Sequence, residues 1–194
     1  MKTNQKNQNN SSEMSPETKK SQRKLALKPP RLRYEFQMKT LLTTRFMKPL
    51  HEFMKYLNIT DIGKILKQNI RYAFKSGYPN LRIDYSKLIL SMGNLPIAPG
   101  ISVSSPKAGK LEFCWTDNSG IGKALATDQV FVAVYSRESQ RWIYKLNAAC
   151  RSLGHCRIDI RPIRGKRIQT YIGFVSSDGK RISNSLFMGE VNVF

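Results

Sequence analysis

No apolar run in this 194-residue chain approaches the ~18 residues that a membrane-spanning helix needs. The opening stretch, MKTNQKNQNNSSEMSPETKK, has no apolar segment of the kind a secretory leader carries. Cysteine occurs three times, an odd number that does not make a disulfide framework. Reduced thiols are therefore expected, in the cytoplasm or, alternatively, inside a particle or assembly. Histidine occurs only twice, and acids are scarce at 13 against 33 Lys+Arg. So few imidazoles and carboxylates leave little material for general acid–base chemistry.

What the chain has in abundance is positive charge, a formal net +20. Such an excess bears on solubility and partners rather than on fold. It fits a solvated basic surface, and it also fits contact with nucleic acid, anionic lipid or an acidic protein. Residues 1–30 contain no aromatic side chain, and Leu25 and Leu27 are the only large aliphatics there besides Met1 and Met14. That composition cannot bury enough surface to offset the entropy of ordering, so a disordered basic tail is expected.

From Arg31 the pattern becomes helical. Leu42, Phe46, Leu50, Phe53 and Leu57 recur at spacings of 4, 4, 3 and 4, which places them on one helical face. Pro49 falls inside that run and predicts a kink or two abutting helices. Asn58 and Thr60 offer caps for a second helix over Asp61–Lys75, with Ile62, Ile65, Leu66 and Ala73 sharing a face with the polar Asn69, and Gly77 and Pro79 as stop signals. The result is a basic helical hairpin whose apolar face needs a partner surface.

Leu81–Ser91 reads as a strand completing a first unit, residues 31–92. GNLPIAPG reads as a linker over residues 93–100. Beyond it, Lys110–Gly120 (KLEFCWTDNSG) alternates Leu111, Phe113 and Trp115 with Glu112 and Cys114, then breaks into a turn. This is the pattern of a half-buried strand, with Trp115 as a core anchor. Similar short strands are predicted at Ile101–Ser104, Gln129–Ser136, Arg141–Leu146, Cys156–Arg161, Ile168–Ser176 and Leu186–Val193. Seven strands in residues 101–194 is an immunoglobulin-like count. Gln129–Ser136 and Ile168–Ser176 are apolar on both faces, as a strand covered on both sides requires. The helical hairpin is therefore expected to dock on the outer face of their sheet.

Three blocks, GYPNLRIDYSKLILSMGNLP, AGKLEFCWTDNSGIGKALATDQVFVAVY and TYIGFVSSDGKRISNSLFMGEVNV, resemble an uncharacterised bacterial family of about this length. That family is a domain of unknown function with a fibronectin-type-III-like C-terminal half. The resemblance covers Arg31–Phe194; relatives begin with a Gly-, Lys- and Trp-rich segment where this chain has its basic tail. It implies no activity, cofactor or catalytic residue. The fibronectin-like comparison implies Trp115 in the core and Tyr171 at the start of a sheet strand, its hydroxyl bonded to nearby backbone as in a tyrosine corner.

Chemical motifs are thin. His51 beside Glu52 reads as a surface histidine. Cys150, His155 and Cys156 supply three potential metal ligands, one short of a structural zinc set and at the wrong spacing. Cys114 has no base specified near it. Gly120-Ile121-Gly122-Lys123 falls short of a phosphate loop, because Asp117 and Ala124 stand where that motif needs Gly and Ser or Thr; it reads as a hairpin loop. RIDIRPIRGKR places Arg157, Asp159 and Arg161 on one strand face and Arg164, Lys166 and Arg167 in the next turn, with Lys180 and Arg181 joining from another loop. This is either an edge strand protected by charge, as Pro162 suggests, or a ridge contacting nucleic acid or another anion.

The chain is thus expected to be α+β: a basic tail, an N-terminal helical hairpin, and an antiparallel immunoglobulin/fibronectin-like β-sandwich on which the hairpin packs. The expected function is a non-catalytic structural or protein-interaction module, without a cofactor, in a larger bacterial or phage-derived assembly. The alternative is a sequence-neutral nucleic-acid-binding protein using the tail and the ridge.

Overall fold

The computed structural model describes residues 29–57, 62–163 and 167–193. The tail up to residue 28, the caps Asn58 and Thr60, Asp61, Arg164 and Lys166 lie outside them. Helix α1 (Pro30–Met47) begins on a proline, whose missing N–H is one that no intrahelical bond needs there. Pro49 interrupts it as expected. The chain tightens into a 3₁₀ turn over Lys48–Leu50 and resumes as α2 (His51–Tyr56). Helix α3 (Ile62–Tyr72) follows, shorter than the predicted Asp61–Lys75.

Asn69, the one polar residue on the inner face of α3, is fully buried and satisfied. Its amide nitrogen donates to the Ile89 carbonyl at 2.9 Å, and its oxygen accepts from the Ile89 N–H at 2.9 Å. That pairing is one reason the predicted Leu81–Ser91 strand does not form. The segment instead gives β2 (Arg82–Ile83), paired only with β1 (Phe74–Lys75), and then a 3₁₀ turn over Tyr85–Lys87. The Asp84 carboxylate caps that turn, accepting from the Ser86 N–H at 3.2 Å and the Ser86 hydroxyl at 2.6 Å. Leu88 and Leu90 are buried all the same.

The seven remaining strands form two antiparallel sheets. One has the order β3-β4-β7, from Ser102–Lys107, Lys110–Cys114 and His155–Asp159. The other has the order β6-β5-β8-β9, from Arg141–Lys145, Gln129–Ser136, Arg167–Val175 and Leu186–Asn192. Between them lies one core containing Leu111, Phe113, Trp115, Val130, Val132, Val134, Ile158, Ile172 and Phe174. The loop holding Gly120–Lys123 crosses from β4 in one sheet to β5 in the other, so it is an inter-sheet connection rather than a hairpin.

A second core lies on the outer face of the four-stranded sheet, where Phe131, Ala133, Tyr171 and Val175 meet Met47, Leu50, Phe53, Met54, Leu57 and Ile65. The helices dock there, as the two-faced apolarity of β5 and β8 requires. Phe53 meets Phe131 edge-on, with ring centroids 5.4 Å apart. Burying side chains of this size stabilises by ~1.5–3 kcal/mol each, so the layer holds without covalent ties. Phe131 also lies across its cross-strand partner Gly173, where an added Cβ would stand 2.2 Å from the Phe131 Cζ.

The stretch read as a linker, residues 93–100, is built into the sandwich. Leu95 and Ala98 belong to the inter-sheet core, and the Leu95 N–H donates to the Ile182 carbonyl at 3.1 Å. Its Gly and Pro content shapes a packed turn, which composition alone does not separate from a spacer.

Candidate functional site

Among the described residues, the most deeply buried polar assembly is at one end of the sandwich, centred on Arg151. Its side chain is 0% exposed, and its Nε lies 3.1 Å from Oδ2 of Asp128, which is also 0% exposed. The Arg151 Nη1 donates to Asn118 Oδ1 at 2.6 Å and Nη2 to the Pro96 carbonyl at 2.9 Å. The guanidinium stacks 4.1 Å from the Phe174 ring centroid, while the Arg151 carbonyl accepts from Trp115 Nε1 at 2.6 Å. Burial holds the guanidinium pKa below its ordinary value, against the pull of Asp128. The network ties together three loops, those holding Pro96, Asn118 with Asp128, and Arg151, and its ion pair is shut off from solvent; it is structural. Nothing in the sequence pattern marks Arg151, because its partners are spread over Pro96–Asp128.

The two anchors fall as follows. Trp115 is buried just past β4, edge-on to Phe174 with centroids 5.9 Å apart. Tyr171 is fully buried but sits mid-strand in β8, facing the helical layer. Its hydroxyl donates to the Tyr85 carbonyl at 2.9 Å, 86 residues away, so it is a clasp between layers and not a local tyrosine corner. Burial pushes the Tyr171 hydroxyl well above the ordinary tyrosine range.

The cysteines and histidines do not assemble. The alternation of β7 buries Cys156 and exposes His155, and Cys150 is exposed. Burial pushes the Cys156 thiol up to about 11, far from a reactive thiolate. The register does place the exposed Cys114 opposite His155, a neighbour the sequence did not specify. Among the described residues no group of three or more His, Cys, Asp or Glu is placed to hold a metal ion.

The basic ridge is not one surface. Arg157, on the outer face of the edge strand β7, donates from Nε to Glu112 Oε1 at 2.8 Å. Arg161 clamps Asp159, and Arg167 at the start of β8 lies 3.5 Å from Glu190. These two arginines lie within the reach of acids on their own or a neighbouring strand. Lys180 and Arg181 follow the other end of β8, roughly 25 Å off at ~3.3 Å per strand residue, and do not join the ridge.

Two concavities mark the helical layer. The first is an aromatic seam where Phe46, Tyr85, Tyr135 and Trp142 meet ring to ring, next to a cavity of about 290 Å³. Burial pushes the Tyr135 hydroxyl up to about 12. The second is a groove of about 480 Å³ on the outward side of α1 and α3, lined by Leu32, Glu35, Phe36, Lys39, Lys67, Ile70 and Arg71. Leu32, Phe36 and Lys39 recur at helical spacing on α1, as Lys67, Ile70 and Arg71 do on α3. Leu32 is 50% exposed and Phe36 41%. Glu35, the groove's one acid, is bound to Lys39 at 2.7 Å, which holds its carboxyl below the usual range.

A three-on-four antiparallel sandwich with one sheet capped by helices is an immunoglobulin/fibronectin-like fold with an added α layer. The chain belongs to a family of unknown function (DUF6266), whose model matches residues 22–189. No curated protein matches it. Among solved structures it is similar to the FN1–FN3 domains of chicken CNTN1, at 14% identity and a TM-score of 0.39, covering 53% of this chain and 34% of that one. It is also similar to the fn3 domain of the human collagen alpha-1(XX) chain, at 6% identity and a TM-score of 0.35, covering 54% of this chain and 90% of that one. No helix among the described residues is long and apolar enough to cross a membrane.

Proposed function

We propose that this chain is a non-catalytic protein-interaction module, a component of a larger assembly, that docks an acidic amphipathic segment of a partner protein in the α1–α3 groove. The observation that carries this reading is the groove itself, whose lining combines apolar Leu32, Phe36 and Ile70 with the cations Lys39, Lys67 and Arg71. Leu32, Phe36 and Ile70 lie outside the core that the helices share with the sheet. Apolar anchors at helical spacing with a charged rim are how a groove takes an amphipathic helix, and the cations select an acidic one. The nucleic-acid alternative has less support, because the cations read as one ridge are divided, with Lys180 and Arg181 beyond the opposite end of β8 from Arg167.

A photo-crosslinking residue at Phe36 in the native host extract tests the reading. A discrete protein adduct is expected that survives nuclease and disappears when Leu32 and Ile70 are both changed to Glu. Adducts that vanish with nuclease, or that persist in the Glu variant, would overturn it.

A further inference from the structure

At the flank of the sandwich, beside the edge strands β7 and β6, lies a concavity of about 530 Å³, lined by Pro106, Lys107, Lys110, Lys145, Arg157, Ile158 and Asp159. From this geometry we infer a binding site for a phosphate-bearing anion, held by Lys107 and Lys145, with Lys110 and Arg157, each bonded to a carboxylate, completing its lining.

The cations are brought together by the fold rather than by sequence proximity. Lys107 and Lys110 flank the two-residue Ala108-Gly109 turn of the β3–β4 hairpin, where Gly109 takes a left-handed φ of 71° that suits glycine. The register sets Lys107 directly opposite Lys110. Like charges facing each other across an antiparallel pair destabilise it, and a bound anion turns that repulsion into attraction. Arg157 arrives from β7, oriented by its Nε bond to Glu112. Lys145 arrives from β6 in the other sheet, and its Nζ donates to the Arg157 carbonyl at 3.3 Å, which fixes the ammonium at the seam between the sheets.

The single carboxylate in the lining does not cancel this charge. Asp159 is already engaged by Arg161 and by Lys110 at 3.0 Å, and these partners, Arg161 above all, hold its carboxyl well below the usual range. Lys107 and Lys145 are exposed and have no carboxylate partner among the described residues. Ammonium and guanidinium donors converging from separate strands suit the several oxygens of a phosphate. The volume falls within the ~300–1,000 Å³ of ordinary ligand clefts. The site shares no residue with the α1–α3 groove and stands or falls independently of it.

The same phosphate chemistry is offered by a free oligophosphate and by a nucleic-acid backbone, so both are used as probes. Calorimetric titration of the full chain with inorganic tripolyphosphate, and with a short mixed-sequence DNA duplex, is made at about 50 mM salt, where screening is weak. The Lys107→Gln/Lys145→Gln double variant is compared with Lys180→Gln/Arg181→Gln; Lys107, Lys145 and Lys180 are exposed and Arg181 is partly so. Tripolyphosphate is expected to bind the parent and the Lys180/Arg181 variant alike, and the Lys107/Lys145 variant at least about tenfold more weakly. Binding of tripolyphosphate without the duplex identifies a free phosphate compound as the ligand. Duplex binding that tripolyphosphate displaces, and that the Lys107/Lys145 change weakens, identifies a nucleic-acid backbone. No tripolyphosphate binding, or equal loss in both variants, overturns the site and leaves only diffuse charge.

Discussion

Asn69 in α3 and Ile89, twenty residues on, exchange two hydrogen bonds of 2.9 Å, one in each direction, at a point buried from solvent. The side-chain amide here does what a neighbouring strand would otherwise do for the Ile89 backbone. Asn69→Ala orphans both backbone groups, and each buried unsatisfied group costs about 1–3 kcal/mol, so a loss of about 2–6 kcal/mol is expected. Urea unfolding followed by circular dichroism and tryptophan fluorescence measures it. The two probes should move together, because the helices and the sandwich share a core. Two separated transitions would refute the shared layer.

Trp115→Ala should lower stability by about 3–5 kcal/mol, the range for emptying a large aromatic site. Trp115→Phe should recover much of this but not all, since the Arg151 carbonyl loses its indole donor. An unfolding midpoint unchanged in the Ala variant would show that the β4 register places this residue on the surface.

Arg151→Ala should cost about 3–5 kcal/mol, because Asp128 is left as an uncompensated buried charge. The Arg151→Met/Asp128→Leu pair, which removes both charges, should fold with a smaller loss than Arg151→Ala alone. A double variant no more stable than the single one would show that the network's bonds to Asn118 and Pro96 matter more than charge balance.

Gly173→Ala should destabilise, by about 1–3 kcal/mol, as overpacking does, because the new methyl meets the Phe131 ring. Phe131→Leu in the same chain should relieve part of that loss. The two effects are expected to be non-additive by an amount measurable in a double-mutant cycle.

The Tyr135 hydroxyl, pushed up to about 12 by burial, links stability to alkaline pH. The folded state disfavours the phenolate relative to the unfolded chain, so this contribution is complete below about pH 10 and is lost as pH rises through about 12. Phenolate absorbance recorded with circular dichroism should show fewer tyrosines ionising before unfolding in the parent than after it. Tyr135→Phe should shift the alkaline midpoint upward, provided its neutral-pH stability is matched.

Much of this architecture could be read from the sequence, because alternation and helical spacing report burial directly. Val130, Val132 and Val134 against Phe131, Ala133 and Tyr135 announced a strand covered on both sides, and the structure supplies both covers. Leu81–Ser91 was misread as a strand because its alternation is real, yet Asp84 and Asn69 take its backbone bonds from within the helical unit. Residues 93–100 were misread as a linker because Gly and Pro shape packed turns and spacers alike. The surfaces were harder to read. Arg157 was visible as a cation, but its company of Lys107, Lys110 and Lys145 depends on strand order, which no local pattern encodes. Arg151 went unnoticed because a buried arginine has no sequence signature of its own.

The helical cap on the four-stranded sheet has one more consequence, for the chain's behaviour before or after it is fully folded. A molecule whose helices have lifted away presents Phe131, Ala133, Tyr171 and Val175 as an open apolar sheet face. Such a face invites other copies to lie down on it. The strong positive charge works against that outcome, since like-charged molecules repel at the distances where sticking begins. Salt, by screening that repulsion, should therefore favour aggregation in this protein most within the unfolding transition, where opened molecules are populated.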